Sequence, residues 1–240
     1  MSDPNIFVGT MFCGEGDYYE CCSSIYRQKN VSIVHNRLHN LPEKQAHNAL
    51  WSSWRKIKDN GFDMFVKIDA DTVLAHDEIL FELWKLMSSN PRITGIQAPL
   101  FDYFTDGYIN GLNCFSPKVV FNDTTDDLFC DRKVDVNHDI VINSADVGER
   151  LRPAGHHCFH ATEEQSFHFG LHRALKCQVQ VIDLVKQAWK HHNDKQRAFA
   201  LLGASCANTF NGASFNYNDE KFKLAFEFAK QNYDKLVINL

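Results

Sequence analysis

The sequence predicts an α/β fold, with a mostly parallel central sheet flanked by helices in a single domain and a helical C-terminal part. Three observations carry that expectation. Short apolar runs alternate with amphipathic helical stretches through the first hundred residues, the order that builds a parallel sheet covered on both faces. The chain has 240 residues, 44% apolar and 23% charged, with 12 Gly and 6 Pro. That composition fits one globular domain and excludes disordered or low-complexity architectures. Helical patterns then fill the region after Glu163.

Ile6 to Thr10 is a short apolar run that stops at Cys13-Gly14-Glu15-Gly16, a buried strand delivering a loop. A helix is expected from Asp17 to Gln28, and Val31 to Val34 reads as the second strand. Pro42 opens a further helix, with Glu43 in its first turn and Gly61 just past its end. Its apolar residues Ala46, Leu50, Trp54 and Ile57 recur at spacings of 4, 4 and 3, which keeps them on one face. Met64 to Ile68 is the third strand, Asp77 to Ser88 a helix, and Gly95 to Pro99 the fourth strand. Between Leu100 and Gly155 the pattern weakens into an irregular, antiparallel region, with strand-like pieces at Val119 to Phe121 and Asp139 to Ile142. Three helical patterns follow: Phe167 through Ile182, Gln196 through Ala207, and Phe222 through Tyr233. Residues 1–160 are therefore expected to form the ligand-binding core, and 161–240 helices packed on the same domain.

Several classes of function are excluded at this level. The longest nearly uncharged apolar stretch, Ala198 to Ala207, is about half the roughly 20 residues needed to span a bilayer. The segment MSDPNIFVGT carries no basic region ahead of an apolar one, so no signal peptide is expected. Eight cysteines are scattered, with Cys21 and Cys22 adjacent, a pattern of reduced thiols rather than of a disulfide framework. A cytoplasmic protein is the expectation. The net charge of −5, with both signs interspersed, leaves no electrostatic footprint for nucleic acid.

The third strand ends in Asp69-Ala70-Asp71. Acidic residues leaving a parallel strand at its carboxyl end face the ligand site, and two residues of separation in an extended stretch put both on one side. Two hard oxygen ligands there suit Mg²⁺ or Mn²⁺ bridging a diphosphate. A chain this rich in aspartate yields about two Asp-x-Asp pairs by chance, so placement, not the motif, carries the weight.

The succession IFVGTMFCGE, EKQAHNALW and MFVKIDADTVL resembles the nucleotide-binding half of GT-A fold glycosyltransferases, most closely inverting family 2. The resemblance covers roughly residues 5–100 and, more loosely, reaches Lys176. It implies a donor in the form of a nucleotide sugar, a glycan or other hydroxyl acceptor, and a divalent metal. Carried over residue by residue, it places Cys13, Gly14 and Glu15 at the nucleoside, Asp69 at the ribose or sugar and on the metal side, and Asp71 on the metal. Lys44 and His47 reach toward the nucleotide, unless they are only the solvated first turn of a helix.

The stretch HHCFHATEEQSFHFGLHRALK looks like the element with which enzymes of this fold complete the metal shell. His157 is the first choice of ligand and His160 the second, and an imidazole ligand favours Mn²⁺ over Mg²⁺. A zinc site built on Cys158 and these histidines is the competing reading, but the paired Cys-x-x-Cys spacing is missing. Inversion requires a carboxylate to take the acceptor's proton; Asp135 and Glu163 are nominated, with Asp102 and Asp106 as further candidates. Phe101, Tyr103, Phe104 and Tyr108 offer either a sugar-stacking surface or core.

Two rival functions remain. FVKIDADTVL also fits the strand-end signature of haloacid dehalogenase phosphatases, with Asp69 as nucleophile and Asp126-Asp127 as the later acidic pair. The alternative is a non-catalytic nucleotide- or sugar-binding protein.

Overall fold

A computed structural model describes residues 3–131, 135–210, 217–238 and 240, with 135 and 136 described by their backbone alone. The first part of the chain runs β1 (Asn5–Phe12), α1 (Tyr18–Tyr26), β2 (Ser32–His39), α2 (Glu43–Ile57), β3 (Met64–Lys67), β4 (Thr72–Leu74), α3 (Ile79–Ser88) and β5 (Ile93–Asp102). The middle adds β6 (Gly107–Phe115), β7 (Val120–Phe121), β8 (Asp135–Val136), β9 (Ile140–Ile142), α4 (Ser144–Gly148) and β10 (Gly155–His157). The helical part is α5 (Glu163–Leu175), α6 (Val179–His192), α7 (Lys195–Ser205), α8 (Glu220–Gln231) and α9 (Tyr233–Val237).

The main sheet has the order β2-β1-β3-β6-β5-β10-β4. β1 lies parallel to both neighbours, and β6 is inserted antiparallel between β3 and β5. The other edge of β5 pairs in parallel with β9 at one end and with β10 at the other, and β4 closes antiparallel on β10. Consequently β1, β2, β3, β5 and β10 all end on the same edge of the sheet, where a parallel α/β sheet binds its ligand. The expected α/β architecture is therefore what the chain forms.

Strand periodicity sorts the core into two layers. Ile6, Val8, Met64 and Val66 face one way and pack on Ile25, Leu80 and Leu83 of α1 and α3. Phe7 and Phe65 face the other way and meet Leu50, Trp51 and Trp54 of α2. Phe167, Leu171, Phe199, Phe222 and Phe226 bind the C-terminal helices together. Among the described residues, no helix is long and apolar enough to cross a membrane.

Three elements depart from the expectation. The irregular middle region contains β6, a nine-residue strand. Its sequence GYINGLNCF alternates half-buried residues with exposed Tyr108 and Asn110 and then with buried Leu112 and Cys114, and its Gly and Asn mimic turn signals. The short β4 follows the aspartate pair directly. The continuous helical pattern from Phe167 to Ile182 is broken into α5 and α6, with Cys177 between them in the left-handed region at φ 54°.

Candidate active site

A cleft of about 260 Å³ opens at the carboxyl edge of the sheet, and both Asp69 and Asp71 line it. They reach it by a turn and not by the extended alternation expected from the sequence: Thr72 N donates to Asp69 O at 2.9 Å. The turn reverses the chain from β3 into β4 and leaves both carboxylates at the sheet edge.

Asp71 is held from one side only. Its Oδ2 accepts from Cys158 Sγ and from Gln165 Nε2, both at 3.1 Å. Its Oδ1 is buried, has no hydrogen bond, and lies 3.4 Å from His157 Nε2. The other ring nitrogen of His157, Nδ1, is 2.7 Å from Asp102 Oδ1. Asp102 in turn accepts from Thr105 N at 2.8 Å and Thr105 Oγ1 at 2.6 Å. Burial alone would raise the pKa of Asp102, but the His157 and Thr105 hydrogen bonds hold it below the ordinary value. An ionised carboxylate can only accept, so Nδ1 carries the proton of that bond and Nε2 faces Asp71. In the absence of a cation the imidazole itself takes up charge. Burial lowers its pKa, but the carboxylates of Asp71 and Asp102 outweigh that and bring it to about 9.

Consecutive strand residues point to opposite faces, yet His157 and Cys158 both meet Asp71. The backbone explains this, because Cys158 adopts φ 61°. That left-handed conformation is costly for a residue with a side chain and collects at functional sites.

The rest of the cleft is charged. Lys67 is buried and its Nζ is 2.6 Å from Asp69 Oδ1. Burial would raise the pKa of Asp69, but the Lys67 charge and hydrogen bond bring it below the ordinary value. Glu15, in the loop after β1, accepts from Cys13 N at 2.7 Å. Burial first and the Asp71 charge second push its pKa up to about 7. Gly14, between them, has φ 123°, a conformation that glycine alone adopts without strain. One wall is α5, capped by the Thr162 side chain on Gln165 N. Its residues Gln165, His168, Phe169, His172 and Arg173 recur at helical spacing along the cleft. Gln165 also ties the β1 loop to Asp71, since its Oε1 accepts from Gly16 N at 3.1 Å. Glu43 and His47 of α2 also line the cleft, with Glu43 Oε2 3.5 Å from His172 Nε2 of α5.

Of the residues nominated from the sequence, Cys13, Glu15, His47, Asp69, Asp71 and His157 line this cleft. Gly14 is exposed in the adjoining loop. The remainder lie elsewhere. Lys44 reaches away to Thr125 O and Asp127. His160 is exposed and pairs with Asp17 at 2.6 Å, because the left-handed turn at Cys158 sends the chain toward α1. Glu163 pairs with Lys195 at 2.6 Å, held by the approach of α7 to α5. Asp135 pairs with Phe121 in the small β7-β8 sheet, and its side chain lies outside the described residues. Asp102 is buried and committed to His157, and the exposed Asp106, paired with His192 at 3.0 Å, is not among the residues lining the cleft. Tyr103 and Phe104 pack against Arg197 and Phe169 rather than in the cleft.

Lys67, Gln165, His172 and Lys176 also line the cleft and were not nominated from the sequence. Lys67 was legible as a charge inside an apolar run, and Gln165 with His172 as polar residues seven apart on a helix with an apolar opposite face. The mutual placement of Asp102 and His157 had no local signal.

The residues fit a divalent cation. Asp71, His157 and Cys158 bring ligand atoms within 4.8 Å of one another, Asp71 Oδ1 lacks a hydrogen bond, and the His157–Asp102 pair is the arrangement that orients a metal-binding imidazole. Burial and the neighbouring Asp71 keep Cys158 a thiol, with its pKa raised well above the ordinary value. The carboxylate suits either Mg²⁺ or Mn²⁺, and the imidazole favours Mn²⁺.

No protein-family model matches the chain, and no curated protein matches it. Among solved structures, it is similar to a mannosyltransferase, PcManGT, from Pyrobaculum calidifontis in complex with GDP-Man and Mn²⁺. The identity is 11% and the TM-score 0.45, over 98% of this chain and 82% of that one. It is also similar to A197 from STIV, at 10% identity and a TM-score of 0.33, over 47% of this chain and 64% of that one. Likenesses this distant fix neither family nor activity.

Proposed function

We propose that the chain is a cytoplasmic, metal-dependent glycosyltransferase that moves a sugar from a nucleoside-diphosphate sugar to a hydroxyl acceptor, with inversion. The observation that carries this reading is the pairing at the cleft floor: Asp71 Oδ1, buried and without a hydrogen bond, 3.4 Å from a His157 Nε2 whose ring is fixed by Asp102. Asp71 and His157 would hold Mn²⁺ or Mg²⁺, which when bound supplies positive charge to a departing diphosphate.

The chain's own residues do the rest. Gln165 and Cys158 fix Asp71 by its far oxygen. Lys67 keeps Asp69 ionised and in place for a ribose or sugar hydroxyl. Cys13 and Glu15, which line the same cleft, would meet the nucleoside. The carboxylate that accepts the acceptor's proton must stand in the cleft, which disfavours Glu163, bound as it is to Lys195. The phosphatase reading loses support from the same geometry. Asp69 is already tied to Lys67, Asp127 is engaged by Lys44, and Asp126 caps the amides of Leu128 and Phe129.

Thermal unfolding against nucleoside diphosphates and nucleotide sugars, with and without Mn²⁺, tests the proposal. A ligand at 100 times its Kd adds about 2.7 kcal/mol, so one nucleotide should raise Tm only when metal is present. Asp71→Asn and His157→Ala should each abolish that rise while keeping the far-UV spectrum. Release or transfer of sugar, followed by NMR, separates an enzyme from a binding protein. Metal-dependent stabilisation that survives in both variants would overturn the assignment.

A further inference from the structure

A second group of metal-ligating side chains sits on the cleft wall away from Asp71. Glu43 and His47 lie one turn apart on α2, so their side chains share a face. Cys130, in the segment between β7 and β8, is fully buried, and one ligand atom from each of the three lies within 4.8 Å of the others. His172 of α5 completes the group, with Nε2 3.5 Å from Glu43 Oε2. Three separate parts of the chain therefore converge on one point.

The histidines supply the independent sign of a missing ligand. His47 is 4% exposed. Its Nδ1 is 2.9 Å from the Glu43 carbonyl oxygen, which can only accept, so Nδ1 carries the proton and Nε2 presents a lone pair. That Nε2 is buried with no hydrogen-bond partner, and so is His172 Nε2. A buried polar atom without a hydrogen bond is costly, and the lone pair of His47 Nε2, beside a carboxylate and a thiol and with His172 next to that carboxylate, is placed to donate to an electrophile between them. A ring whose Nδ1–H is fixed on a carbonyl is also the form in which imidazole ligates metal.

We propose that Glu43, His47, Cys130 and His172 form a zinc site, separate from the Asp71–His157 site and independent of the transferase reading. The donor set of one thiolate, two imidazoles and one carboxylate is of the kind zinc selects. Metal bonds of about 2.0–2.3 Å in a tetrahedron place the ligand atoms roughly 3.3–3.8 Å apart; Glu43, His47 and Cys130 already lie within 4.8 Å of one another, and His172 joins them by a side-chain movement from its place beside Glu43. Binding converts the Cys130 thiol to thiolate and releases its proton to solvent; in the metal-free protein that thiol points at the Asp126 carbonyl, 3.3 Å away. The site would clamp α2, α5 and the segment after β7 together, and it replaces the nucleotide contact that the resemblance implies for His47.

The test uses the full chain, with Zn²⁺ and Co²⁺ as probes. After exhaustive dialysis, elemental analysis should find one zinc per chain in the wild type and in Asp71→Asn, and less than a tenth of that in Cys130→Ser and in His172→Ala. Co²⁺ added to the metal-stripped protein should give the visible d–d bands of a tetrahedral site and a thiolate charge-transfer band. That band should vanish in Cys130→Ser and persist in Cys158→Ser. Far-UV spectra identify any variant that fails to fold, and His172→Ala, at a partly exposed position, serves where Cys130→Ser does not fold. Absence of bound zinc together with no cobalt–thiolate band in the folded wild type would overturn the proposal. So would a band that disappears with Cys158 instead of Cys130.

Discussion

Asp102 shows how a residue outside the cleft governs what happens in it. It is 1% exposed, so it meets no substrate, yet its Oδ1 decides which nitrogen of His157 faces Asp71. Replacing it by Asn leaves the shape and removes the obligatory acceptor, so the imidazole can turn over or change tautomer. Loss of such an orienting partner typically costs 10–100-fold in metal affinity. Asp102→Asn should therefore weaken Mn²⁺ binding by about that factor in a paramagnetic titration, with little change in Tm of the metal-free protein relative to His157→Ala. Unchanged Mn²⁺ affinity would remove Asp102 from the site. Of this arrangement the sequence nominated Asp71, which leaves the third strand, and His157, which stands in a histidine-rich stretch. It offered Asp102 only as a further candidate base and gave no sign of the pairing with His157, since the 55 residues separating them carry no spacing rule.

At the scale of elements, the wall of the cleft depends on how closely α5 and α7 approach. A Cβ on Gly170 would strike the Ala200 carbonyl oxygen, and one on Gly203 the Phe167 carbonyl oxygen. Both neighbours are helix backbone, which cannot move aside as a flexible side chain would. Gly170→Ala should destabilise the protein by about 1–3 kcal/mol, the usual cost of overpacking, as read from urea unfolding. Gly148→Ala in α4 is the control: its Cβ meets nothing within 4 Å, and the change should be neutral or stabilising by up to about 1 kcal/mol. Because α5 carries Gln165 and His172, the destabilised helix pair should also weaken metal binding at the cleft. Helical periodicity predicted each of these helices, but their contact distance was not legible, for a glycine in a helix looks alike whether it faces solvent or another backbone. The missed strand β6 has the same cause: antiparallel insertion between β3 and β5 buries residues whose local chemistry reads as turn.

Over the whole molecule, two histidines with opposite shifts, the half-buried His35 and the buried His157, each make stability depend on pH. His35 lies against Tyr26 and Thr10, and burial first, then the Arg37 charge, lowers its pKa from 6.5 to about 4. The unfolded chain binds that proton near pH 6.5, so between 6.5 and 4 it holds more protons than the native state, and stability falls as pH falls. His157 behaves in the opposite sense. Despite burial, Asp71 and Asp102 raise it to about 9, so its contribution is complete below 6.5 and is lost as pH rises through 9. In metal-free protein, the unfolding free energy of wild type minus that of His35→Gln should decline from pH 6.5 to 4. The corresponding difference for His157→Gln should decline from pH 6.5 to 9. A pH-independent difference for either variant would contradict the charge state assigned to that histidine.

The sequence by itself determined the α/β class, the first three parallel strands with their helices, and the position of Asp69-Ala70-Asp71 at a strand end, because periodicity and capping are local and survive in the one-dimensional pattern. It also singled out His157, since histidines crowd the segment that follows the sheet. The tertiary structure alone decided which histidine meets Asp71, that Lys67 pairs with Asp69, that Asp102 is buried against the His157 ring, and that Glu43, His47 and Cys130 lie together with His172 beside Glu43. Each of these joins residues from different elements, and such contacts follow from strand order, helix approach and a single left-handed residue at Cys158, which act on the chain as a whole and leave no periodic trace in it.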